Sequence, residues 1–272
     1  MRVPTIPNEE FLQLAGSVKE SAGNEEFSWK ELKNCKDYYA ILDYLSRTNV
    51  KYVGEGSARI SFYLPSAIDD SGMEINSPCC LKVASNEDGP IQNKSDIRAF
   101  QKFGGKFQCF PQLYSYDKEK YYYFLCELAT PALSLNEKGK ASINSYEYFS
   151  DLISFISNKK YSEPMLKSIQ KMRDINSFLD ELFEAYDLVF QPYGDRTDFT
   201  KDEVKVFKKE WVAFWADVKK KAPKYAGIAD VCLGFIMKKF YDSDIDHPDN
   251  WGYVKRNQNL VLLPIDFGIG ES

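Results

Sequence analysis

Hydrophobic positions change their spacing twice along the chain, from helical to strand-like and back to helical. Between residues 51 and 127, apolar side chains alternate with polar ones or form short runs of β-prone and aromatic residues, which predicts strands. Turn-forming sequences at 69–72 and 86–90 separate these strands. The clearest strand segments are 60–64, 80–84 and 121–125.

Helical patterns lie on both sides of this region and once within it. Ser28 is a predicted N-cap for apolar residues at helical spacing, so residues 1–50 form a predicted helical extension. A short helix is predicted at 92–103, with Gly104 and Gly105 as its stop.

Helical spacing returns after Pro131 and continues for most of the remaining chain. The segment 201–221 carries one apolar stripe that includes Trp211 and Trp215, which we interpret as core rather than as a partner groove. A second apolar stripe runs from Ile228 to Phe240.

A hairpin is predicted near the C-terminus, with strands at 251–255 and 259–265. The order of elements indicates an α+β fold. It divides the chain into an extension at 1–50, a β-rich part at 51–129 and a largely helical part at 130–272.

Composition and charge exclude several classes of protein. Apolar residues make up 44% and charged residues 28% of the 272 positions, which is typical of a globular chain and not of a disordered one. The formal net charge of −5 argues against a broad nucleic-acid interface. His247 is the single histidine, so a multi-histidine metal site is excluded.

Six scattered cysteines form no C-x-x-C pair and favour free thiols in a reducing cytoplasm over a disulfide framework. The N-terminus has no signal-like apolar core, and no apolar run is long enough to span a bilayer. We therefore expect a cytoplasmic protein with no membrane partner.

Two features between residues 51 and 100 suit phosphate binding. A turn with two glycines between strands lets backbone N–H groups approach a phosphate, although the same pattern also serves as a plain hairpin turn. Lys82 lies in an apolar strand, where it either points to solvent or holds phosphates with help from a helix carboxylate such as Asp96. The turn residues are Gly54, Glu55, Gly56, Ser57 and Arg59.

Carboxylates near the C-terminus form a second group of candidates. Asp244, Asp246 and Asn250 lie in one polar loop, which is either a surface loop or part of a site anchored by Trp251. Asp266 ends an apolar strand before Phe-Gly, where it is either a turn residue or a ligand for a divalent metal.

Taken in order, these features resemble the protein-kinase-like superfamily. The nearest resemblance is to phage-encoded protein-kinase-like proteins, through the strand start Phe-Pro-Gln-Leu-Tyr at 110–114 and the loop His-Pro-Asp-Asn-Trp-Gly at 247–252. The resemblance covers about 51–127 and 235–268. It implies a two-lobed fold, with a β-rich N-lobe and a helical C-lobe that is truncated soon after Asp-Phe-Gly.

The resemblance also implies ATP and Mg²⁺ as cofactors. The glycine turn would cover the phosphates, with Arg59 standing where the family often has a third glycine. Lys82 would contact the α- and β-phosphates, with Asp96 as its partner. Cys126 would be the gatekeeper, and Asn250 and Asp266 would be metal ligands. The linker whose backbone binds adenine would be Glu127, Leu128 and Ala129.

One departure concerns catalysis. In the family the catalytic Asp lies five residues before the Asn, and here that position is Ile245, which cannot accept a proton. Either the loop has gained a residue, so that Asp246 or less favourably Asp244 takes the role, or the site binds nucleotide without transfer. Four residues follow Asp-Phe-Gly, so no activation segment is expected.

Three functions fit this sequence. The first is an ATP- and Mg²⁺-dependent phosphotransferase acting on Ser or Thr of a protein substrate. The second is a pseudokinase that binds nucleotide or a host protein target, in the host cytoplasm for a phage protein. The third is a small-molecule kinase of the aminoglycoside-phosphotransferase type.

Overall fold

A computed structural model describes residues 24–103, 108–133, 143–156, 161–190, 199–237 and 245–266. Helices account for 50% and strands for 22% of the structure, which confirms the α+β class. Within the described ranges, no helix has the length and apolar character needed to cross a membrane.

The first seven strands are β1 (Lys51–Glu55), β2 (Arg59–Leu64), β3 (Ala67–Ile68), β4 (Glu74–Ile75), β5 (Cys79–Ala84), β6 (Leu113–Tyr116) and β7 (Tyr123–Glu127). Five of them form the main antiparallel sheet, in the order β1-β2-β5-β7-β6. The other two, β3 and β4, pair as a small hairpin that follows β2 in the chain. The predicted strand segments are confirmed, although β7 begins at Tyr123 rather than at residue 121.

Alternation along β5 and β7 gives this sheet two distinct faces. Leu81 and Leu125 belong to one buried cluster, together with residues of the helices before the sheet. Cys80, Phe124 and Cys126 face the opposite way and join the larger core of the molecule. We call this second side the inner face of the sheet.

Residues 24–50, the described part of the helical extension, contain two short helices, α1 (Trp29–Asn34) and α2 (Tyr38–Arg47). The Ser28 hydroxyl accepts a hydrogen bond from Glu31 N at 3.5 Å, which confirms the predicted N-cap. Asp37 starts the second helix by accepting from Ala40 N at 2.8 Å, so the helical pattern is interrupted there. Residues 1–23 of the predicted extension lie outside the described ranges.

Helix α3 (Gly89–Phe103) packs against the inner side of β5 and β7 and begins three residues earlier than predicted. The Asn86 side chain accepts from Asp88 N at 3.0 Å and ends the preceding loop. A Cβ on Gly89 would lie 2.5 Å from Ala58 O, so only glycine lets the helix start this close to the turn before β2. The predicted stop at Gly104 and Gly105 lies outside the described ranges.

Five further helices form the largest part of the core. The predicted helix at 201–221 is confirmed, with a capping box between Thr200 and Glu203. Trp211 and Trp215 are fully buried, which confirms them as core residues. The second stripe forms a helix that ends at Ile236, and Phe240 lies outside the described ranges. These helices are α4 (Ser145–Ser150), α5 (Glu163–Lys171), α6 (Ile175–Phe190), α7 (Lys201–Lys221) and α8 (Ala226–Ile236).

A second sheet joins the hairpin predicted near the C-terminus to the segment that follows β7. The predicted hairpin forms β9 (Trp251–Arg256) and β10 (Asn259–Pro264), turning through Asn257 and Gln258 at positive φ. Strand β8 (Thr130–Pro131) pairs with β9, giving the order β10-β9-β8. The end of β10 is thereby brought towards the inner face of the main sheet.

Candidate functional site

Lys82 occupies the centre of the inner face. Strand register places Ser61 and Phe124 directly opposite it on the two neighbouring strands. The Lys82 ammonium donates to Ile265 O at 2.7 Å and lies 5.8 Å from the centroid of the Phe124 ring. The ammonium is thus held just after the end of β10, at the residue before Asp266, rather than pointing to solvent.

Arg59 bridges two of the predicted site carboxylates. One guanidinium nitrogen donates to Asp96 Oδ2 at 2.5 Å, and another donates to Asp266 Oδ1. Arg59 is 4% exposed and the Asp96 side chain is fully buried, whereas the Asp266 side chain is 35% exposed. Together with Lys82 these residues form the Arg59 cluster, which contains two cations and two carboxylates.

The electrostatics of this cluster follow from burial opposed by pairing. Burial acts to lower the pKa of the Arg59 guanidinium, but the two carboxylates outweigh it and raise that pKa. For the Asp96 carboxyl, burial acts in the opposite direction and raises the pKa, and the charges of Arg59 and Lys82 act against that rise. Arg59 therefore stays charged, and its charge offsets the cost of burying a carboxylate.

The expected partner of Asp96 was Lys82, but the cation that hydrogen-bonds it here is Arg59. Arg59 was also expected over the nucleotide phosphates, and the structure instead buries it at the start of β2, against α3 and the end of β10. Its position on β2 explains the difference, because register puts Arg59 on the same face as Ser61 and Lys82.

Asn250 and Asp266 are brought together by the hairpin β9–β10. Pro264 pairs with Trp251 at its open end, and Asn250 O accepts from Ile265 N at 2.7 Å and from Asp266 N at 3.4 Å. Backbone hydrogen bonds therefore hold one residue with an amide side chain beside one residue with a carboxylate side chain. Their oxygen atoms are ligands that Mg²⁺ accepts, and Mg²⁺ commonly takes its other ligands from phosphate and water.

The glycine turn lies between β1 and β2. Gly54 and Glu55 end β1, and Gly56 N donates to Arg59 O at 2.9 Å. A Cβ added to Gly54 or Gly56 would meet open space, and neither glycine has a positive φ. Neither packing nor backbone conformation explains these two glycines, and the space beside them is open. Ser57 is exposed, and its carbonyl accepts from the Asn86 side chain at 2.9 Å.

The segment predicted to bind adenine follows Cys126 at the end of β7. Cys126 and Leu128 are buried in the core, and Ala129 packs beside the hairpin β9–β10. The Glu127 carboxylate accepts from the Arg256 guanidinium, with the shortest contact at 2.5 Å. Arg256 also donates to two backbone carbonyls before β6, those of Gln108 and Phe110, at 2.8 and 2.6 Å.

The loop before Asn250 contains one catalytic candidate that the structure describes, Asp246. Ile245 is fully buried, and its carbonyl accepts from the Trp251 indole N–H at 2.8 Å. Asp246 has 54% of its side chain exposed and lines an open groove of about 920 Å³ along α6. Lys82, Asn250 and Asp266 are not among the residues that line this groove. Asp244 lies outside the described ranges.

Sequence reasoning missed two features of the site. The bridging role of Arg59 depends on strand register, which no local pattern indicates. The Arg256 contacts join segments far apart in the chain, and no local pattern indicated them.

No protein-family model matches this chain, and no curated protein matches it. Within the described ranges, no three histidine, cysteine or acidic residues cluster as a metal site. A metal at Asn250 and Asp266 would therefore need ligands from phosphate or water.

Proposed function

We propose that this chain is an ATP- and Mg²⁺-dependent phosphotransferase with a protein-kinase-like, two-lobed fold. One observation carries the proposal: Lys82, Asp96, Asn250 and Asp266 come from four separate segments and meet at one site. The N-lobe would be 51–129, the C-lobe 130–272, and the site would lie between them.

The residues of the site suit the phosphates of a nucleotide. The Lys82 ammonium would neutralise phosphate charge, and the open space beside Gly54 and Gly56 would admit the phosphates next to the backbone. Asn250 and Asp266 would hold Mg²⁺, which neutralises charge on the transferred phosphoryl group when it is bound. The donor types fit, because carboxylate and amide oxygens are ligands that Mg²⁺ accepts and backbone hydrogen bonds hold Asp266 beside Asn250.

Arg59 has to release Asp266 when nucleotide and metal enter. Asp266 is the more exposed of its two partners, whereas Asp96 is fully buried. We therefore expect Arg59 to keep Asp96 and to exchange only its bond to Asp266. Arg59 would then serve as the counter-ion that holds the site together without ligand.

Transfer requires a group that orients the acceptor hydroxyl. The hydroxyl oxygen would bond to the γ-phosphorus, the bond from that phosphorus to the β,γ-bridging oxygen would break, and ADP would leave. The hydroxyl proton would pass to the Asp246 carboxylate. In that case the groove along α6 would hold the acceptor, which we propose to be a Ser or Thr of a protein substrate.

A second candidate function is nucleotide binding without transfer, as in a pseudokinase that acts on a host protein target. The observation in its favour is Ile245, a fully buried side chain at the position where the family has its catalytic Asp. The exposed position of Asp246 beside another groove favours the same alternative.

A transfer assay separates the two candidates. Purified protein would be incubated with radiolabelled ATP and Mg²⁺, alone and with a bacterial lysate. We expect label on protein, and we expect Asp246→Asn to lower its rate by about 100-fold or more, the usual contribution of a general base. Asp249→Asn is the matched control, because Asp249 is an exposed carboxylate of the same loop.

Nucleotide-dependent stabilisation without any label would overturn transfer and support the pseudokinase. Equal rates for Asp246→Asn and Asp249→Asn would show that Asp246 takes no part in the reaction. The absence of both label and stabilisation would overturn both candidates.

A further inference from the structure

Two cysteines lie directly opposite each other on the inner face of the main sheet. Strand register pairs Cys80 of β5 with Cys126 of β7, so both side chains point to the same side. Directly opposed residues of antiparallel strands have Cα atoms about 4.5 to 5.5 Å apart. Disulfide bridges span about 4.4 to 6.8 Å between Cα atoms, so the two sulfurs are within bonding reach.

The other cysteines have no such partner among the described residues. Cys79 is adjacent in sequence but points to the opposite face, and its cross-strand neighbour is Glu127. Cys109 and Cys232 lie elsewhere in the core, and Cys35 lies at the end of α1. All six are free thiols in the structure.

The surroundings of the pair divide the two sulfurs into different roles. The neighbouring Cys126 thiol lowers the pKa of Cys80, against the opposing effect of burial. Lys82, two residues along the same strand, adds to this lowering. The neighbouring Cys80 sulfur and burial raise the pKa of Cys126.

We propose that Cys80 and Cys126 form a reversible intramolecular disulfide, a redox-modification site in the floor of the candidate nucleotide site. The oxidant is a peroxide, of which hydrogen peroxide is the smallest. The proposal concerns the thiol pair itself and holds whether or not the chain transfers phosphate.

Peroxide would oxidise the thiol pair to a disulfide in two steps. The Cys80 thiolate attacks one peroxide oxygen, the O–O bond breaks, and the released hydroxide takes a proton to become water. Cys80 is then a sulfenic acid. The Cys126 sulfur attacks that sulfur, the S–O bond breaks, and a second water leaves. Two thiols lose two electrons and two protons in total, and the peroxide becomes two molecules of water.

Peptide mapping of the native protein tests this proposal. The full chain would be treated with hydrogen peroxide, the remaining thiols would be alkylated, and the digest would be analysed by mass spectrometry. We expect a linked peptide pair containing Cys80 and Cys126, lighter by two hydrogen atoms and released by dithiothreitol. Because Cys79 shares a peptide with Cys80, the mapping is repeated on Cys79→Ser, where the linkage should persist.

Cys80→Ser should abolish the linked peptide, and circular dichroism would show whether that variant is folded. Persistence of the link in folded Cys80→Ser, or its loss in folded Cys79→Ser, would assign the bridge to Cys79 and overturn the proposal. The wild-type protein alone also gives a decisive outcome. If excess peroxide leaves Cys80 and Cys126 on separate alkylated peptides, the proposal is overturned.

Discussion

Arg59 sets the electrostatics of the candidate site at the scale of single residues. Its guanidinium contacts two carboxylates that come from α3 and from the end of β10. A buried carboxylate costs several kcal/mol unless a cation compensates it. The arginine is therefore the residue on which the assembly of this site depends most.

Replacing Arg59 with methionine should destabilise the protein by about 3 to 5 kcal/mol, the usual cost of removing one partner of a buried ion pair. The reason is that Asp96, which is fully buried, loses the cation that it hydrogen-bonds. Urea unfolding followed by circular dichroism would measure the change.

Arg98→Met is the matched control for that experiment, because Arg98 is an exposed arginine on the same helix as Asp96. We expect it to change the free energy of unfolding by less than about 0.5 kcal/mol. An equally small change for Arg59→Met would mean that the Arg59 bridge does not stabilise the fold.

Residue identities on the inner face were predictable only in part. Lys82 and Asp266 stood out because a lysine in an apolar strand and an aspartate at a strand end are unusual there. The pairing of Arg59 with Asp96 was not predictable, since it depends on how β2 and β5 align and on where α3 lies. Strand register and helix placement are tertiary properties that a local pattern does not contain.

The hairpin β9–β10 holds the site together at the scale of elements. Arg256, at the end of β9, contacts the Glu127 carboxylate at the end of β7 and two carbonyls before β6. The planar guanidinium supplies several donors in a fixed arrangement that an ammonium group cannot reproduce. The hairpin that carries Asn250 and Asp266 is thereby fastened to the main sheet.

Arg256→Lys should therefore destabilise the protein although it keeps the charge. We expect a loss of about 2 kcal/mol in the free energy of unfolding, because hydrogen bonds to a charged carboxylate and two backbone carbonyls cannot all be kept. Arg173→Lys, an exposed arginine in the loop before α6, serves as control. Equal unfolding free energies for the two variants would contradict the fastening role of Arg256.

The close approach of the start of α3 to Ala58 and to the end of β5 gives a second prediction at this scale. Gly89→Ala should destabilise the protein by about 1 to 3 kcal/mol, because its Cβ would lie 2.5 Å from Ala58 O and 2.6 Å from Ala84 Cβ. Thermal unfolding would detect this loss as a lowered Tm. Gly56→Ala is the control, since its Cβ meets open space. A Tm for Gly89→Ala as high as that of Gly56→Ala would show that the helix can move away at little cost.

Elements with strong local signals were predicted more accurately than the contacts between them. Helix α7 matches its predicted bounds because a capping box, an apolar stripe and terminal lysines all agree on them. The pattern from Leu32 to Leu45 gave no clear sign that Asp37 would start a new helix. A polar N-cap inside an apolar pattern is easily taken for a surface residue.

The whole molecule builds its candidate site from segments far apart in the chain. Arg59 and Asp96 are 37 residues apart, and Arg59 and Asp266 are 207 residues apart. The order of motifs suggested that these residues would meet, and the structure places Lys82, Asp96 and Asp266 in one cluster. The position of Asp246 beside α6 is a tertiary property, so the sequence did not predict it.

Calorimetric titration with ATP and Mg²⁺ tests the central claim most directly, because it measures nucleotide binding without requiring transfer. We predict binding at one site of the wild-type protein and an affinity at least about tenfold lower for Lys82→Met, or about 1.4 kcal/mol. Lys205→Met, which removes an exposed lysine of α7, should bind as the wild type does. No binding by the wild type, or equal affinities for Lys82→Met and Lys205→Met, would contradict the assignment of this site to a nucleotide.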